Sequence, residues 1–217
     1  VIHEIDEAIE ELVKREVLDG SGAEVVFDAP TKDWASRRNT PTVDIYLYDI
    51  REDLNRRQVG SLRTRNDEGV VVAMTEPPRF FRLSYLVTAW TQRPEDEHRL
   101  LSAMLYAFLR HKVMPDEYRT GTLVDSSSPI LIEVAKPPGE SRQISEVWSA
   151  LGGELKPSID LVVTAAVGSE PVTAIPAPPE GFRVHTSGTG GQESEREVRA
   201  DRPGEHEPPA VAGSAGS

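Results

Sequence analysis

Between Arg79 and Pro115 the order of apolar and polar residues changes its period once, and the change divides a strand from a helix. From Arg79 to Trp90 the residues alternate. Phe81, Leu83, Tyr85, Val87 and Ala89 share one side, and Phe80, Arg82, Ser84, Leu86, Thr88 and Trp90 share the other. Apolar residues on both sides predict a central strand, with helix over one face and further cover over part of the other. Pro94 suits a first helical turn, where its missing N–H is no loss. Glu95, Asp96 and Glu97 complement the positive end of the helix dipole, and Arg110, His111 and Lys112 complement the negative end. Leu101, Met104, Leu105 and Phe108 recur on one face, widened by Leu100 and Leu109. The core is expected to form on this strand and helix.

The remaining elements are shorter. Ile2, Ile5, Ile9, Leu12 and Val13 recur at helical spacing among Glu4, Glu7, Glu10 and Glu11, which predicts an amphipathic first helix closed by Asp19-Gly20. Ala23–Phe27 reads as a short strand. The polar stretch from Thr31 to Pro41 reads as a loop, with Trp34 pinned against the core or a neighbouring subunit. From Thr42 to Ile50, Val43, Ile45 and Leu47 alternate with Asp44, Tyr46 and Tyr48, so a strand with one half-exposed face is expected. Arg51–Pro78 is a long polar excursion between two antiparallel strands, read either as carrying a small hairpin at its tip or as a partly ordered surface loop. After the central helix, Pro129–Ala135 predicts a strand that Pro137-Pro138-Gly139 breaks. Ser141 is placed to cap a short helix carrying Ile144, Val147, Trp148 and Leu151, which Gly152-Gly153 ends. Ser158–Val167 alternates and forms the last expected strand. The pattern gives an α/β (α+β) domain over residues 1–168, with a mixed, largely antiparallel sheet and two or three packed helices.

Composition changes the picture beyond residue 168. The segment 169–217 is rich in Gly, Pro, Ser and Glu, with few large apolar residues to repay its ordering entropy, so a disordered tail is expected. Over the 217 residues the hydrophobic share is 38% and the net charge is -12, with no basic block, which argues against binding nucleic acid through its phosphates. There is no cysteine, so disulfides and thiolate metal sites are excluded. The first residues are acidic and amphipathic rather than basic and then apolar, unlike a signal peptide. No apolar run is long enough to insert in a membrane, and a cytoplasmic protein is expected.

Chemistry is sparse. None of His3, His98, His111, His185 and His206 has a second ligand at metal spacing. Ser126-Ser127-Ser128 lacks the turn of a nucleophile elbow, and no phosphate-binding or dinucleotide loop is present, so neither an enzyme nor a cofactor is expected. Arg51, Arg56, Arg57, Arg63 and Arg65 form a local basic surplus in the excursion, which fits an acidic protein surface as well as plain solubilising charge. Tyr46 and Tyr48 are the other candidates for a partner contact, on the face expected to be half exposed.

The order of features also resembles a known family. Val25-Val26-Phe27-Asp28-Ala29-Pro30 follows the acidic helix. The tyrosine strand then runs into Ile50-Arg51-Glu52-Asp53, and Tyr85-Leu86-Val87-Thr88-Ala89-Trp90 precedes Pro94-Glu95-Asp96-Glu97-His98-Arg99-Leu100-Leu101. Trp148-Ser149-Ala150-Leu151-Gly152 comes before Lys156-Pro157-Ser158-Ile159-Asp160-Leu161. Together these look like the cap, or tail-terminator, family of phage-tail-like contractile injection systems, over residues 1–168. The resemblance implies the fold of phage tail-terminator proteins and a structural part without catalysis. That part is a six-fold (homohexameric) ring at the end distal to the baseplate, ending the inner tube and joining it to the last sheath layer. Its partners would be the inner tube protein and the sheath protein, in a particle assembled in the cytoplasm and open to release. No individual binding residue is carried over. A soluble adaptor that holds a protein partner through its acidic tail is the alternative.

Overall fold

The computed structural model describes residues 1–67, 69–126, 128–136, 144–153, 155–168, 173–174, 181–187 and 193–199. In chain order the elements are α1 (Ile2–Glu16), β1 (Glu24–Val26), α2 (Lys32–Ala35), β2 (Thr42–Glu52), β3 (Leu62–Arg65), β4 (Val71–Thr75), β5 (Arg79–Trp90) and α3 (Pro94–Arg110). Then follow β6 (Leu131–Val134), α4 (Ile144–Leu151), β7 (Ile159–Val167), β8 (Thr173–Ala174), β9 (Gly181–Ser187) and β10 (Glu193–Arg199). They fall into two compact units, one of 1–58 with 78–168, the other drawn from 59–77 and 169–217.

The first unit is built on a five-stranded sheet in the order β1-β2-β5-β7-β6. The alternating stretch 79–90 is its middle strand. β1 runs parallel to β2, and the other pairs are antiparallel. Register sets Val43 opposite Ala89, Ile45 opposite Val87, and Tyr85 opposite Leu161. These residues line one face, over which α1 and α3 lay Ile5, Ile9, Leu12, Met104 and Phe108 to form the main core. On the other face Leu86 meets Val147 and Trp148 of α4, with Tyr46, Tyr48 and Trp90 packed around them. The cover expected over part of that face is therefore this helix. A bulge between Leu47 and Asp49 shifts the β2 register, so Ile50 lies opposite Leu83 and Arg51 opposite Arg82.

Three local expectations change. The stretch after Pro30 is not all loop, because the Thr31 hydroxyl accepts from the Trp34 N–H at 3.3 Å and starts α2. On the face expected to be half exposed, Tyr46 and Tyr48 are half-buried but Asp44 is fully buried. Alternation assigns a side of the sheet, and α4 then decides how much water that side keeps. The region expected to be a patternless tail contains β8, β9 and β10, while the rest of 169–217 lies outside the described residues. Its strands escape a period search because each is short and polar, and a backbone ladder alone is enough to register them. Pro137-Pro138-Gly139 and Ser141 also lie outside the described residues.

The excursion does carry the hairpin. β3 pairs β4 antiparallel, and β8 pairs the other edge of β4 in a three-stranded sheet. The Asn66 carboxamide oxygen accepts from the Val70 N–H at 2.9 Å and sets its turn. β9 and β10 form a separate two-stranded ribbon, with Glu197 opposite Arg183 in register. Among the described residues no helix is long and apolar enough to cross a membrane.

Candidate functional site

The predicted contact residues separate into three places. Arg51, Arg56 and Arg57 gather where β2 ends and a short 3-10 turn, Leu54–Arg56, begins. Register adds two arginines that the sequence pattern does not reveal, Arg79 and Arg82 of β5. Carboxylates hold the cluster from beneath. Glu52 accepts two bonds from Arg79, at 2.9 and 2.5 Å, and lies 3.7 Å from Arg57. Those bonds from Arg79 lower the carboxyl of Glu52 below its ordinary value. Arg51 pairs with Asp49 at 2.7 Å and Arg82 with Glu133 at 3.6 Å. The Arg56 guanidinium stacks 3.8 Å from the centroid of Phe80, a cation–π contact that fixes the turn to the sheet. The guanidinium groups of Arg51, Arg57, Arg79 and Arg82 thus stand about half exposed over less exposed carboxylates, while Arg56 is half-buried against Phe80. Arg63 stands exposed on β3, in the other unit.

Tyr46 and Tyr48 occupy the second place, against α4. The Tyr48 hydroxyl reaches past β5 to donate to Asp160 of β7 at 2.7 Å. Burial, and then that carboxylate, push the phenol above its ordinary range. Both rings thus serve the fold's second core and keep only part of their surface for any outside contact.

Next to them lies a polar cluster that no motif announced. Asp28 accepts from the indole N–H of Trp34 at 2.8 Å and from Arg38 at 2.9 Å. Trp34 meets Trp90 edge-on at 5.2 Å, and Arg38 lies 4.5 Å from the Trp34 ring. Trp90 in turn donates its N–H to the Thr88 hydroxyl at 2.8 Å. Thr88 is the cross-strand neighbour of Asp44, whose two carboxylate oxygens meet no donor at hydrogen-bonding geometry among the described residues. Burial, and then the Asp28 carboxylate, raise Asp44 to about 8 against the opposing pull of Arg38 and Thr88. A groove of about 620 Å³ opens beside Trp90, lined in part by Arg38, Thr40, Thr91, Arg93 and Leu100. Its lining holds no nucleophile paired with a base, and among the described residues no three His, Asp or Glu converge on a metal-sized space.

The helical side is tied down by two buried or half-buried carboxylates. Glu4 of α1 accepts from the Thr122 N–H and hydroxyl, each at 2.7 Å, and those bonds lower its carboxyl to about 2. Gly121 makes the approach possible: its φ is +55°, and a Cβ there would fall 2.1 Å from a Glu4 oxygen. Glu16 gathers Arg110 at 3.0 Å, His111 at 2.6 Å and the Tyr118 hydroxyl at 3.1 Å, joining the ends of α1 and α3.

These clusters sit on an α/β domain with a mixed, mostly antiparallel sheet. Residues 4–180 match the Pvc16 N-terminal domain family, and the chain belongs to that family. The matched stretch runs past the expected boundary at 168 and takes in β8. No curated protein matches the chain. Among solved structures it is similar to the sheath/tube terminator of an extracellular contractile injection system, PVC, in its extended state. That likeness has a TM-score of 0.57 at 20% identity and covers 87% of this chain and 65% of that one. It is also similar to the tube-terminating cap of the anti-feeding prophage, with a TM-score of 0.54 at 18% identity, over 78% of this chain and 55% of that one. The chain thus spans less than two thirds of the length of either. The mixed, mostly antiparallel sheet with packed helices is the fold of these terminators.

Proposed function

We propose that this chain is a structural cap of a contractile injection system. It ends the inner tube and joins it to the last sheath layer, at the end distal to the baseplate. The observation that carries this reading is the family match over residues 4–180, on a fold shared with a sheath/tube terminator and a tube-terminating cap. Both are larger than this chain, so the contacts they make beyond its length are not assumed. The reading is non-enzymatic and takes six copies closed in a ring, with the tube and sheath proteins as partners and assembly in the cytoplasm. Arg51, Arg56, Arg57 and Arg63, with the exposed parts of Tyr46 and Tyr48, are the proposed contacts to a partner. Outward guanidinium groups on a chain of net charge -12 favour an acidic protein surface there.

The test is electron microscopy of particles from cells lacking the gene. Tubes of uncontrolled length, bare tubes or an absence of sheathed particles are expected. Particles of normal length with a normal distal end would overturn the reading. In complemented cells, Arg51→Gln with Arg57→Gln should reproduce the defect while shifting the melting temperature of the purified chain only slightly, since both guanidinium groups are about half exposed and such ion pairs contribute little to stability.

A further inference from the structure

The outer side of α3 carries two large, exposed apolar residues. Tyr106 is 70% exposed and Leu109 is 56% exposed. At the helical repeat of 3.6 residues they stand on neighbouring rows, and Val113, also exposed, follows just past the helix end. Arg99, paired with Asp96 at 3.0 Å, and Arg110, paired with Glu16 at 3.0 Å, flank the arc on one side and His98 on the other, all three exposed. An apolar strip with tyrosine at its centre and arginines on one side of its rim has the anatomy of a protein contact. Its natural complement is an apolar side chain ringed by carboxylates.

This chain carries that complement elsewhere. Val124, 60% exposed, follows the 3-10 turn Gly121–Leu123, and Asp125 beside it is exposed too. Asp116 and Glu117 stand exposed on the preceding turn, Asp116–Tyr118. The Thr120 hydroxyl donates to Glu7 of α1 at 2.9 Å and Thr122 is held by Glu4, so this acidic knob is fixed to α1 rather than hung from a loose loop. We propose that Tyr106 and Leu109 of one copy dock against Val124 and the exposed carboxylates of the same segment, Asp116, Glu117 and Asp125, on a second copy of this chain. The proposal rests on the ring-forming cap reading and assigns the contact between its subunits. Because the two patches are different surfaces, the contact is head-to-tail, the kind that repeats from copy to copy and closes into a ring when the rotation allows. A membrane is a poorer occupant: a net charge of -12 opposes approach to anionic headgroups, and the apolar strip is narrow.

The absence of cysteine makes the test direct. In the full chain, Tyr106→Cys and Val124→Cys are made singly and together, and treated with a short bismaleimide, both as concentrated purified protein and within particles. The double variant is expected to give a ladder of covalent multimers in at least one setting. The single variants stay monomeric alone, and the two mixed give dimers. Dimers from Tyr106→Cys alone, or a double variant that stays monomeric in both settings, would overturn the contact. So would flotation of the wild-type chain with phosphatidylglycerol vesicles that Tyr106→Asp abolishes. A ladder from purified protein alongside normal particles in the gene-deletion strain would keep the contact and remove the cap reading, so the two failures are distinct.

Discussion

Asp44 is buried in the sheet with its carboxyl held far above the ordinary value, and that has a measurable sign. Its folded value of about 8 lies above the value of about 3.9 usual for an unfolded chain, so between the two the native state holds a proton that the unfolded state releases. The stability this proton brings is complete below about pH 4, declines as pH rises, and is gone above about pH 8. Asp44→Asn keeps the shape and cannot ionise. Urea unfolding at a series of pH values should show the variant gaining on the wild type steadily from pH 5 to pH 8 and holding its lead above. Parallel curves would show that the native carboxyl is already ionised. The residue also marks where sequence reading stops. Alternation put Asp44 on the correct side of β2, but its burial brings it close to Asp28 and Arg38, which no alternation within β2 reveals. Arg79 and Arg82 were hidden for a related reason, since only the strand register brings them beside Arg51 and Glu52.

At the scale of elements, α4 shows how a short helix can stabilise a wide face. Trp148 is buried against Leu86, and its ring contacts Gly153, where a Cβ would approach to 3.2 Å. Trp148→Ala should cost about 3–5 kcal/mol in chemical denaturation, the range for deleting a large buried aromatic. The Trp148 indole N–H has no acceptor among the described residues, so Trp148→Phe should cost roughly 1.5 kcal/mol or less. Equal losses from the two would mean that the indole nitrogen does have a partner in solution. Elements with a long apolar period, such as α1, β5, α3 and β7, were legible because burial itself writes the period. α2 was not, since it is a single turn specified by one hydroxyl cap. β9 and β10 were not, since residues 181–187 and 193–199 mix arginine, glutamate and histidine with few apolar positions.

For the whole molecule, the first unit draws its core from residues 1–58 and 78–168, and the main hydrophobic cluster ends at Ala165. A chain stopped after Gly168 should therefore melt close to the full chain in calorimetry. A two-stranded ribbon such as β9–β10 brings little stability of its own. A fall of many degrees would place part of 169–217 within the cooperative unit.

The strand order also fixes a sequence of events in synthesis. β7 is made last in its sheet yet lies between β5 and β6, so β6 has no strand of the sheet to join until residues 159–167 exist. A ribosome adds about 5–20 residues each second, so several seconds pass between completing Trp90 and completing Val167. Throughout that interval the middle strand of the finished sheet is an edge, with Leu83, Tyr85 and Val87 beside unpaired backbone. Such an edge is a template for another chain. Crowded polysomes are thus the setting in which this protein is most exposed to aggregation, and a stop codon between Trp90 and Ile159 would make that passing exposure permanent.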